Sequence, residues 1–202
     1  MPNRPTADAA TLDLMFNDAR TFSAFENHAV PQALLQQAVV LAQMGPTSMN
    51  CQPMRLAFLN QGAERAAILP HLAEGNRTKT EAAPITAVVG FDMAFFDQLP
   101  RLFPHFDGAR ATFADAPALA EETAFRNGTL QGGYLIMALR AVGLDCGPMS
   151  GFDREAVTQA VFGPGPIKAN FLINIGYGKP DSLFPRQPRL AWQDVVVPTL
   201  MA

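Results

Sequence analysis

Gly147-Pro148-Met149-Ser150-Gly151-Phe152 lies between a long apolar segment that ends in Gly143-Leu144 and an Asp153 that can start a new helix. Because glycine, proline and serine are typical of turns, this hexapeptide predicts a loop between two helices whose backbone N–H groups face outward. Such an edge suits the docking of a flat, electron-poor ring, but an ordinary helix-to-helix connection has the same composition. The hexapeptide is therefore the candidate chemical centre of the chain, with a plain connection as the alternative.

Segments with a helical pattern and segments with a strand pattern alternate along the chain. Apolar residues spaced three and four apart predict helices over five ranges: 12–19, 31–44, 63–72 (closed by Gly75), 118–142 and 153–162. Runs of apolar and β-branched residues predict strands over three ranges: 54–59, 86–91 and 171–176. Strands interleaved with long helices indicate an α+β layered domain.

The longest predicted helix, over residues 118–142, contains glycines in its interior. Asp115 is placed to cap its start. Each interior glycine costs about 1 kcal/mol relative to alanine. The three glycines are Gly128, Gly132 and Gly133. We therefore expect the backbone of another element to approach closely there, which places this helix at the centre of the domain or of a dimer.

Two segments have no clear place in this layered core. Residues 92–116 are rich in phenylalanine and broken by Pro100 and Pro104, which predicts short helices in an excursion from the domain. The excursion is either a flap over a site or a hydrophobic dimer surface, and the pattern favours neither. Val195-Val196-Val197 has strand propensity but no sequence neighbour to pair with, so residues 183–202 are predicted to exchange onto a partner subunit.

The composition bounds the class of protein. The chain has 202 residues, 49% of them apolar and 16% charged, which predicts a globular protein with one domain over residues 11–202 and a flexible arm over 1–10. The low charged fraction leaves apolar surface to cover and favours an oligomer. A net charge of −3 without a basic run argues against nucleic acid as a partner. The sequence shows no signal-like or membrane-spanning apolar run, so we expect a cytoplasmic protein that does not bind membranes.

Several kinds of site are disfavoured by motifs that the sequence lacks. Two cysteines, and three histidines without metal-ligand spacing, predict neither a disulfide framework nor a metal site. No Gly-x-Gly-x-x-Gly follows a strand, and neither a phosphate-binding P-loop nor Gly-x-Ser-x-Gly occurs. These absences argue against a Rossmann crossover and a nucleophile elbow. A Ser–His–acid hydrolase site stays open from composition alone.

Five separated segments carry motifs that belong together. In chain order they are Ala19–Phe25, Gly45–Pro53, Asn76–Lys79, Gly147–Phe152, and Ile175–Pro180 followed by Pro185–Arg189. The first is similar to an Arg-Arg-Ser-x-Arg-x-Phe opening, and the second to a Pro-Ser-x-x-Asn-x-Gln-Pro loop. As a set they resemble the FMN-dependent nitroreductase family. Within it, they look closest to the subgroup of malonic semialdehyde reductases and related NAD(P)H nitroreductases.

The resemblance implies a three-layer fold with a central, mostly antiparallel sheet flanked by helices, and a domain-swapped C-terminal arm. It also implies a homodimer with two FMN sites at the interface, and NADH or NADPH as the reductant. Hydride would pass through flavin N5 to a small organic acceptor by a ping-pong mechanism, so no side chain is expected to be a nucleophile. Reduction of malonic semialdehyde to 3-hydroxypropionate is the preferred activity. A general nitroaromatic or quinone reductase and a non-catalytic flavin-binding protein are the alternatives.

The resemblance also implies which residues bind each part of FMN. The phosphate is assigned to Arg20, Thr21, Arg186 and Arg189. The ring edge is assigned to Asn76 and Lys79, and flavin N5 to the stretch formed by Pro148, Met149, Ser150 and Gly151. The partner subunit is expected to supply Pro46, Thr47, Ser48, Asn50 and Gln52. Surface arginines, a solvated turn at 76–79 and a plain helix stop at 46–52 are the alternatives to these roles.

The preferred substrate carries a carboxylate, so a cation is needed to hold it. Arg126 is the first candidate, and Arg101 and Lys79 are the others. A quinone or a nitroaromatic compound has no carboxylate and would not need this cation.

The chain departs from the family motifs at three positions. Ala19 replaces the first arginine, Ser23 replaces a later basic residue, and Met54 stands where tryptophan is common. The first two changes remove two positive charges near the flavin. We expect binding to survive, with more of the phosphate charge neutralised by Arg186 and Arg189.

Overall fold

The computed structural model describes residues 4–197, which form a four-stranded sheet flanked by helices. Its strands are β1 (Met54–Leu59), β2 (Ile85–Asp92), β3 (Asp145–Met149) and β4 (Ile167–Gly176), in the spatial order β1-β2-β4-β3. Every neighbouring pair is antiparallel, so β2 and β4 are central while β1 and β3 form the edges. The predicted α+β class and the central antiparallel sheet are confirmed.

Helices cover both faces of this sheet. In the described part they are α1 (Ala9–Leu12), α2 (Gln32–Ala42), α3 (Ala63–Ala66), α4 (Glu74–Ala82), α5 (Leu99–Leu102), α6 (Ala109–Ala114), α7 (Pro117–Ala141), α8 (Arg154–Phe162) and α9 (Trp192–Val195). α2 and α7 pack on the face that carries Ala87 and Val89 of β2. Val157 of α8 packs on the opposite face, with Val88. Because side chains alternate along a strand, β2 is buried on both faces, as its apolar run predicts.

Helix α7 lies against the sheet, and its glycines explain how closely it packs. A Cβ atom added to Gly128 would lie 2.9 Å from the Cβ of Phe91, and one added to Gly132 would lie 2.5 Å from the ring of Phe171. A Cβ atom added to Gly133 would meet nothing within 4 Å. Two of the three glycines therefore make room mainly for side chains of β2 and β4, rather than for another backbone as predicted.

The start of α7 also differs from the prediction. Asp115 does not cap α7, because it follows α6 and donates its N–H to the Ala111 carbonyl. Pro117 occupies the first helical position, where its missing N–H would have no partner within the helix. Gly143, with a φ of 81°, lies in the left-handed conformation just after the helix. Proline and glycine, rather than an acidic cap, therefore mark the two ends of α7.

The predicted helix over residues 63–72 is divided. It ends after one turn, and the 3-10 turn that follows contains Pro70, whose ring removes a backbone donor. α4 begins only after that turn, so Gly75 lies inside a helix and does not close one as predicted. The consequence for the site is that Asn76 and Lys79 lie on a helix and not in a solvated turn.

The hexapeptide is not the predicted loop between two helices. Its first half belongs to β3, where Gly147 and Pro148 are paired with β4. Proline is tolerated there because β3 is an edge strand, which leaves one side of the ladder without a required donor. Only residues 150–153 connect β3 to α8, and Asp153 caps α8 as predicted, accepting from the Ala156 N–H at 3.0 Å.

The segment over residues 92–116 consists of short helices, as predicted, but it has a core of its own. Phe95, Leu99 and Phe113 are buried and pack in one cluster with Phe91 of β2. This packing makes the segment part of the domain rather than a loose excursion. Its role as a flap or as a dimer surface stays a prediction.

Both ends of the described chain differ from the predicted pattern. In place of a helix over residues 12–19, α1 passes into a π-helical turn over Asp13–Asn17. Val195 ends α9 instead of forming a strand. The arm over 1–10 and the segment 183–202 extend beyond the described residues, and exchange of the latter between subunits stays a prediction.

Three further observations concern residues 4–197. None of their helices combines the length and the apolar character needed to cross a bilayer. They contain no group of three or more His, Cys, Asp or Glu side chains placed to hold a metal ion. Burial raises the pKa of Cys51 to about 11 and that of Cys146 to about 12. Both cysteines are therefore protonated thiols near neutral pH, and neither is a candidate nucleophile.

Candidate functional site

A cleft of about 420 Å³ opens beside the edge strand β3. Its walls are the segment 19–23, the ends of α4 and α7, and the segment 182–189, with part of β3 between them. Five cationic side chains line it: Arg20, Lys79, Arg140, Arg186 and Arg189. No Asp or Glu is among its lining residues in the described part of the chain. We call it the cation cleft.

The charge of the cation cleft is opposite to that of the whole chain. Five of the 15 Lys and Arg residues meet here, although the formal net charge is −3. Two like charges 4 Å apart repel by about 1 kcal/mol in bulk water and by more near a protein surface. A group of cations without an acidic partner therefore favours a bound anion, which relieves this repulsion.

The first wall of the cation cleft is the segment that contains Arg20. This segment runs beside β3, where the Phe22 N–H donates to the Cys146 carbonyl at 3.0 Å. A Cβ atom at Gly147 would overlap the Phe22 carbonyl oxygen, so a residue without a side chain is needed for this close approach. Gly147 therefore sets the distance between β3 and the residues that line the cleft.

Gly147→Ala is expected to lower the free energy of unfolding by about 1–3 kcal/mol, since the new Cβ must push away a backbone carbonyl. Urea denaturation measures the change. Gly165→Ala is the matched control, because a Cβ at Gly165 would meet nothing within 4 Å. Equal stability of the two variants would contradict the packing described here.

Arginine side chains tie the first wall of the cation cleft to the last one. Arg20 donates to the Phe184 carbonyl. In the opposite direction, Arg186 donates to the Asn17 carbonyl and, at 3.0 Å, to the Ala19 carbonyl. These bonds hold both guanidinium groups at the cleft.

The predicted contacts of the ring edge lie around the loop after β3. The Asn76 side chain donates its Nδ2 to the Gly151 carbonyl at 2.9 Å, and the Ala73 N–H donates to the same oxygen at 2.9 Å. Among the hydrogen bonds of residues 4–197, none is donated by the backbone N–H of Ser150 or Gly151. The Gly151 carbonyl therefore fixes the loop to α4, while the N–H groups of Ser150 and Gly151 can donate to a ligand.

A buried polar network connects α4 to the sheet behind this loop. The Thr86 hydroxyl donates to Asn174 Oδ1 at 2.9 Å, and Asn174 Nδ2 donates to the Thr80 hydroxyl at 3.2 Å. The Thr80 hydroxyl lies 3.4 Å from the Met149 sulfur. A buried polar network holds its side chains in place when each of them forms its hydrogen bonds. This network therefore positions both α4 and the end of β3.

The residues predicted to serve the other subunit lie elsewhere on the chain. Gln52 lines a second groove of about 440 Å³ together with Arg101, and this groove shares no lining residue with the cation cleft. Asn50 donates its side-chain amide to the Leu102 carbonyl at 2.9 Å. The Ser48 N–H donates to the Asn127 side chain at 2.8 Å. One chain therefore does not bring the two predicted sets of binding residues into one cavity.

The loop after α2 is also held in an unusual backbone conformation. Met49, Asn50 and Gln52 have φ values of 51°, 50° and 40°. Positive φ is uncommon for residues other than glycine and is often found at functional sites. The loop therefore combines polar side chains with a constrained backbone.

Arg126 lies in neither cleft of the single chain. Its side chain is exposed on α7 and pairs with Glu122 one turn earlier. Surface pairs of this kind contribute about 0.3–0.5 kcal/mol, so Arg126 can exchange Glu122 for another carboxylate at little cost.

Two parts of the site were not predicted from the sequence. Arg140 lines the cation cleft, and Thr80 with Asn174 forms the network behind it. A cation in the last turn of a long helix is a signal for an ion site or a dipole contact, and Arg140 has that position. No local pattern places it beside residues more than a hundred positions earlier.

Comparison with known proteins places the chain among close relatives. A model of the Nitroreductase family matches residues 18–177. A Burkholderia lata protein named “Putative NADH dehydrogenase/NAD(P)H nitroreductase” is 51% identical over 190 residues, which cover 94% of this chain and 97% of that protein. The match extends over nearly the full length of both proteins.

Solved structures of low sequence identity share the fold. A “putative nitroreductase” of Bacillus subtilis has a TM-score of 0.85 at 19% identity, covering 95% of this chain and 100% of that chain. Another from Exiguobacterium sibiricum, solved in complex with FMN, has a TM-score of 0.81 at 19% identity, covering 97% and 99%. At this level of identity, the similarity concerns the arrangement of helices and strands.

Proposed function

The chain belongs to the nitroreductase family, and on that premise we propose that it is an FMN-dependent NAD(P)H oxidoreductase that reduces a small organic acceptor. When bound, FMN supplies the centre that accepts hydride from the nicotinamide and passes it on. The reaction uses NADH or NADPH, which are reductants of the cytoplasm, and we therefore propose a cytoplasmic location.

The observation that carries the proposal is the cation cleft. Five cations, with no acidic residue among the lining residues of the described range 4–197, form a donor set for a highly charged anion. A phosphate monoester carries a charge of about −1.5 to −2 near neutral pH, and guanidinium groups bind it through parallel hydrogen bonds. Arg20, Arg186 and Arg189 would hold the FMN phosphate, with the Thr21 hydroxyl as a further donor.

Lys79 and Pro148 line one end of the cation cleft, and the remaining residues assigned to the ring lie just beyond it, on α4 and in the loop after β3. The Asn76 amide offers a donor and an acceptor to the pyrimidine edge. Lys79 lies one turn further along the same helix and would stabilise negative charge on a reduced ring. One of the two unused N–H groups, that of Ser150 or that of Gly151, would donate to flavin N5, with Pro148 and Met149 forming the adjoining backbone.

A homodimer would complete each site with residues of the second subunit. α2 and α7 pack side by side, and together they expose Val40, Leu41, Leu130 and Tyr134, while Met44 is exposed in the turn just after α2. Such an apolar surface favours contact with a second copy. The loop with Pro46, Thr47, Ser48, Asn50 and Gln52 closely follows α2, so a partner covering this surface would contact the loop, and we propose that the loop adds its polar groups to the partner's flavin site.

Malonic semialdehyde is the acceptor that we propose, with nitroaromatic compounds and quinones as the alternative class. Arg126 lies on the same face of α7 as Leu130 and Gly133, since these residues are spaced by four and three. A dimer contact through that face would bring Arg126 to the interface. A carboxylate substrate bound there would find a cation whose present partner is weakly held.

Arg126→Ala is expected to raise KM for malonic semialdehyde about 10-fold or more, because a charge-assisted hydrogen bond contributes about 1.5–3 kcal/mol. The KM for a quinone should stay unchanged. Steady-state kinetics with both acceptors measure the two values. Arg110→Ala is the control, since Arg110 pairs with Asp97 in the 92–116 segment. Equal loss of both activities would show that Arg126 does not select a carboxylate.

The visible spectrum of the purified protein tests the proposed function. We expect flavin absorption with about one FMN released per chain on denaturation, and bleaching when NADH or NADPH is added without oxygen. A bound flavin that bleaches no faster than free FMN would make the chain a non-catalytic flavin-binding protein. A colourless protein that takes up no added FMN would contradict the proposal altogether.

A further inference from the structure

Arg140 lies beside the position where the first arginine of the family motif is replaced by Ala19. Both residues line the cation cleft, and both line a smaller cavity of about 180 Å³ next to it. Arg140 Nη1 donates to the Met15 carbonyl at 3.1 Å, which places the guanidinium against the segment that leads to Ala19. The end of α7 therefore supplies a cation at the place where the motif has lost one.

Arg186 binds the same short segment from the other wall. It donates to the Asn17 and Ala19 carbonyls, two and four residues after the carbonyl that Arg140 binds. The two guanidinium groups are thus held by one stretch of backbone, and both face the cation cleft. This arrangement suits a ligand that needs two cations at once.

The Arg140 side chain has donors left for such a ligand. Within residues 4–197, its hydrogen bonds all come from Nη1, to the Met15 carbonyl and, at 3.6 Å, to the Met137 sulfur. Asp18 and Asp145 line the smaller cavity with it, but neither is among the ion pairs of the described residues. Asp145 instead accepts the Gly178 N–H at 2.8 Å. Nε and Nη2 of Arg140 remain for an anion.

We propose that Arg140 binds the FMN phosphate in the cation cleft and supplies the charge that Ala19 lacks. This inference rests on the proposed function, because the anion is the phosphate of FMN. A planar guanidinium reaching from α7 can bind two phosphate oxygens, whereas the methyl group of Ala19 can bind none. The chain therefore moves one phosphate contact from the first motif to the last turn of α7.

The test compares FMN with riboflavin, which has the same ring and polyol but no phosphate. Apoprotein is titrated with each flavin, and binding is followed by the loss of flavin fluorescence. Arg140→Met should weaken FMN binding about 10- to 100-fold and leave riboflavin binding unchanged. Arg140→Lys keeps the charge and should restore part of the FMN affinity.

Lys168→Met is the matched control for the loss of one positive charge. Lys168 is near the far end of β4 and pairs with Glu121, so FMN binding should not change. Urea denaturation of Arg140→Met, without flavin, shows whether loss of the Met15 contact alone alters folding. Arg140→Lys supplies the comparison if Arg140→Met does not fold.

The outcomes separate this inference from the proposed function. An FMN affinity of Arg140→Met equal to that of wild type would overturn the inference alone. So would an equal loss of FMN and riboflavin binding, because Arg140 would then act only on the shape of the site. Wild-type protein that binds neither flavin would overturn the proposed function and this inference together.

Discussion

The double variant Arg20→Ala/Arg186→Ala is expected to be purified without colour and to bind FMN about 1,000-fold more weakly than wild type. Each arginine lines the cation cleft and is held there by backbone carbonyls of the opposite wall. A charge-assisted hydrogen bond contributes about 1.5–3 kcal/mol, and the loss of two such donors multiplies the effect on Kd. Calorimetric titration of the apoprotein with FMN measures it.

The control for this variant removes two positive charges outside the cleft. Arg110→Ala/Lys168→Ala fits, because both side chains form surface ion pairs, with Asp97 and Glu121. It should bind FMN like wild type. A loss of less than 10-fold in Arg20→Ala/Arg186→Ala, or an equal loss in the control, would mean that the cleft does not hold the phosphate.

Arg65→Met is expected to lower the free energy of unfolding by about 3 kcal/mol. Arg65 is 2% exposed and lies among carbonyl oxygens rather than beside a carboxylate. Its guanidinium donates to the carbonyls of Leu59 at 2.8 Å, Pro84 at 2.9 Å, Thr80 at 3.2 Å and Ala83. These carbonyls lie at the end of β1, in α4 and just before β2. Methionine would fill the space and leave several buried acceptors without a donor.

Arg77→Met provides the comparison for Arg65→Met. Arg77 is exposed on α4 and donates to the Leu69 carbonyl at 3.2 Å, so its loss should cost about 1 kcal/mol or less. Urea denaturation gives the free energy of unfolding of both variants, and the two values are compared when the dependence of that free energy on urea concentration is the same. An Arg65→Met protein as stable as Arg77→Met would contradict the role of Arg65 as the tie between these elements.

The sequence predicts correctly those helices and strands whose signal lies within their own residues. β1 has the predicted bounds, β2 is buried on both faces, and α8 begins after its Asp153 cap. In each case one short stretch contains the signal, either an apolar run or a capping residue. The α+β class follows from these elements alone.

The prediction that the hexapeptide is a loop between two helices is wrong, because its structure depends on pairing with a strand that is distant in the sequence. Gly147 and Pro148 have the composition of a turn, but pairing with β4 makes them part of an edge strand. Similarly, a helical register cannot reveal that Pro117 rather than Asp115 starts α7. For the hexapeptide, pairing with a distant strand overrides the turn composition, whereas at the start of α7 two neighbouring residues offer competing signals.

The candidate site also contains some residues that a sequence motif predicts and one that no motif predicts. The family motifs pointed to Arg20, Lys79, Arg186 and Arg189, and the structure places all four in one cleft. Arg140 has no motif of its own, because its position depends on how α7 ends beside the segment before Ala19. The roles of these residues toward FMN are predictions.

A crystal structure of the protein with bound FMN tests the central claim most directly. We expect the phosphate in the cation cleft, within hydrogen-bond distance of Arg20 and Arg186, and the ring beside Ser150 and Gly151. A phosphate bound in the groove of Gln52 and Arg101 of the same chain, with the cation cleft containing only water, would contradict the account.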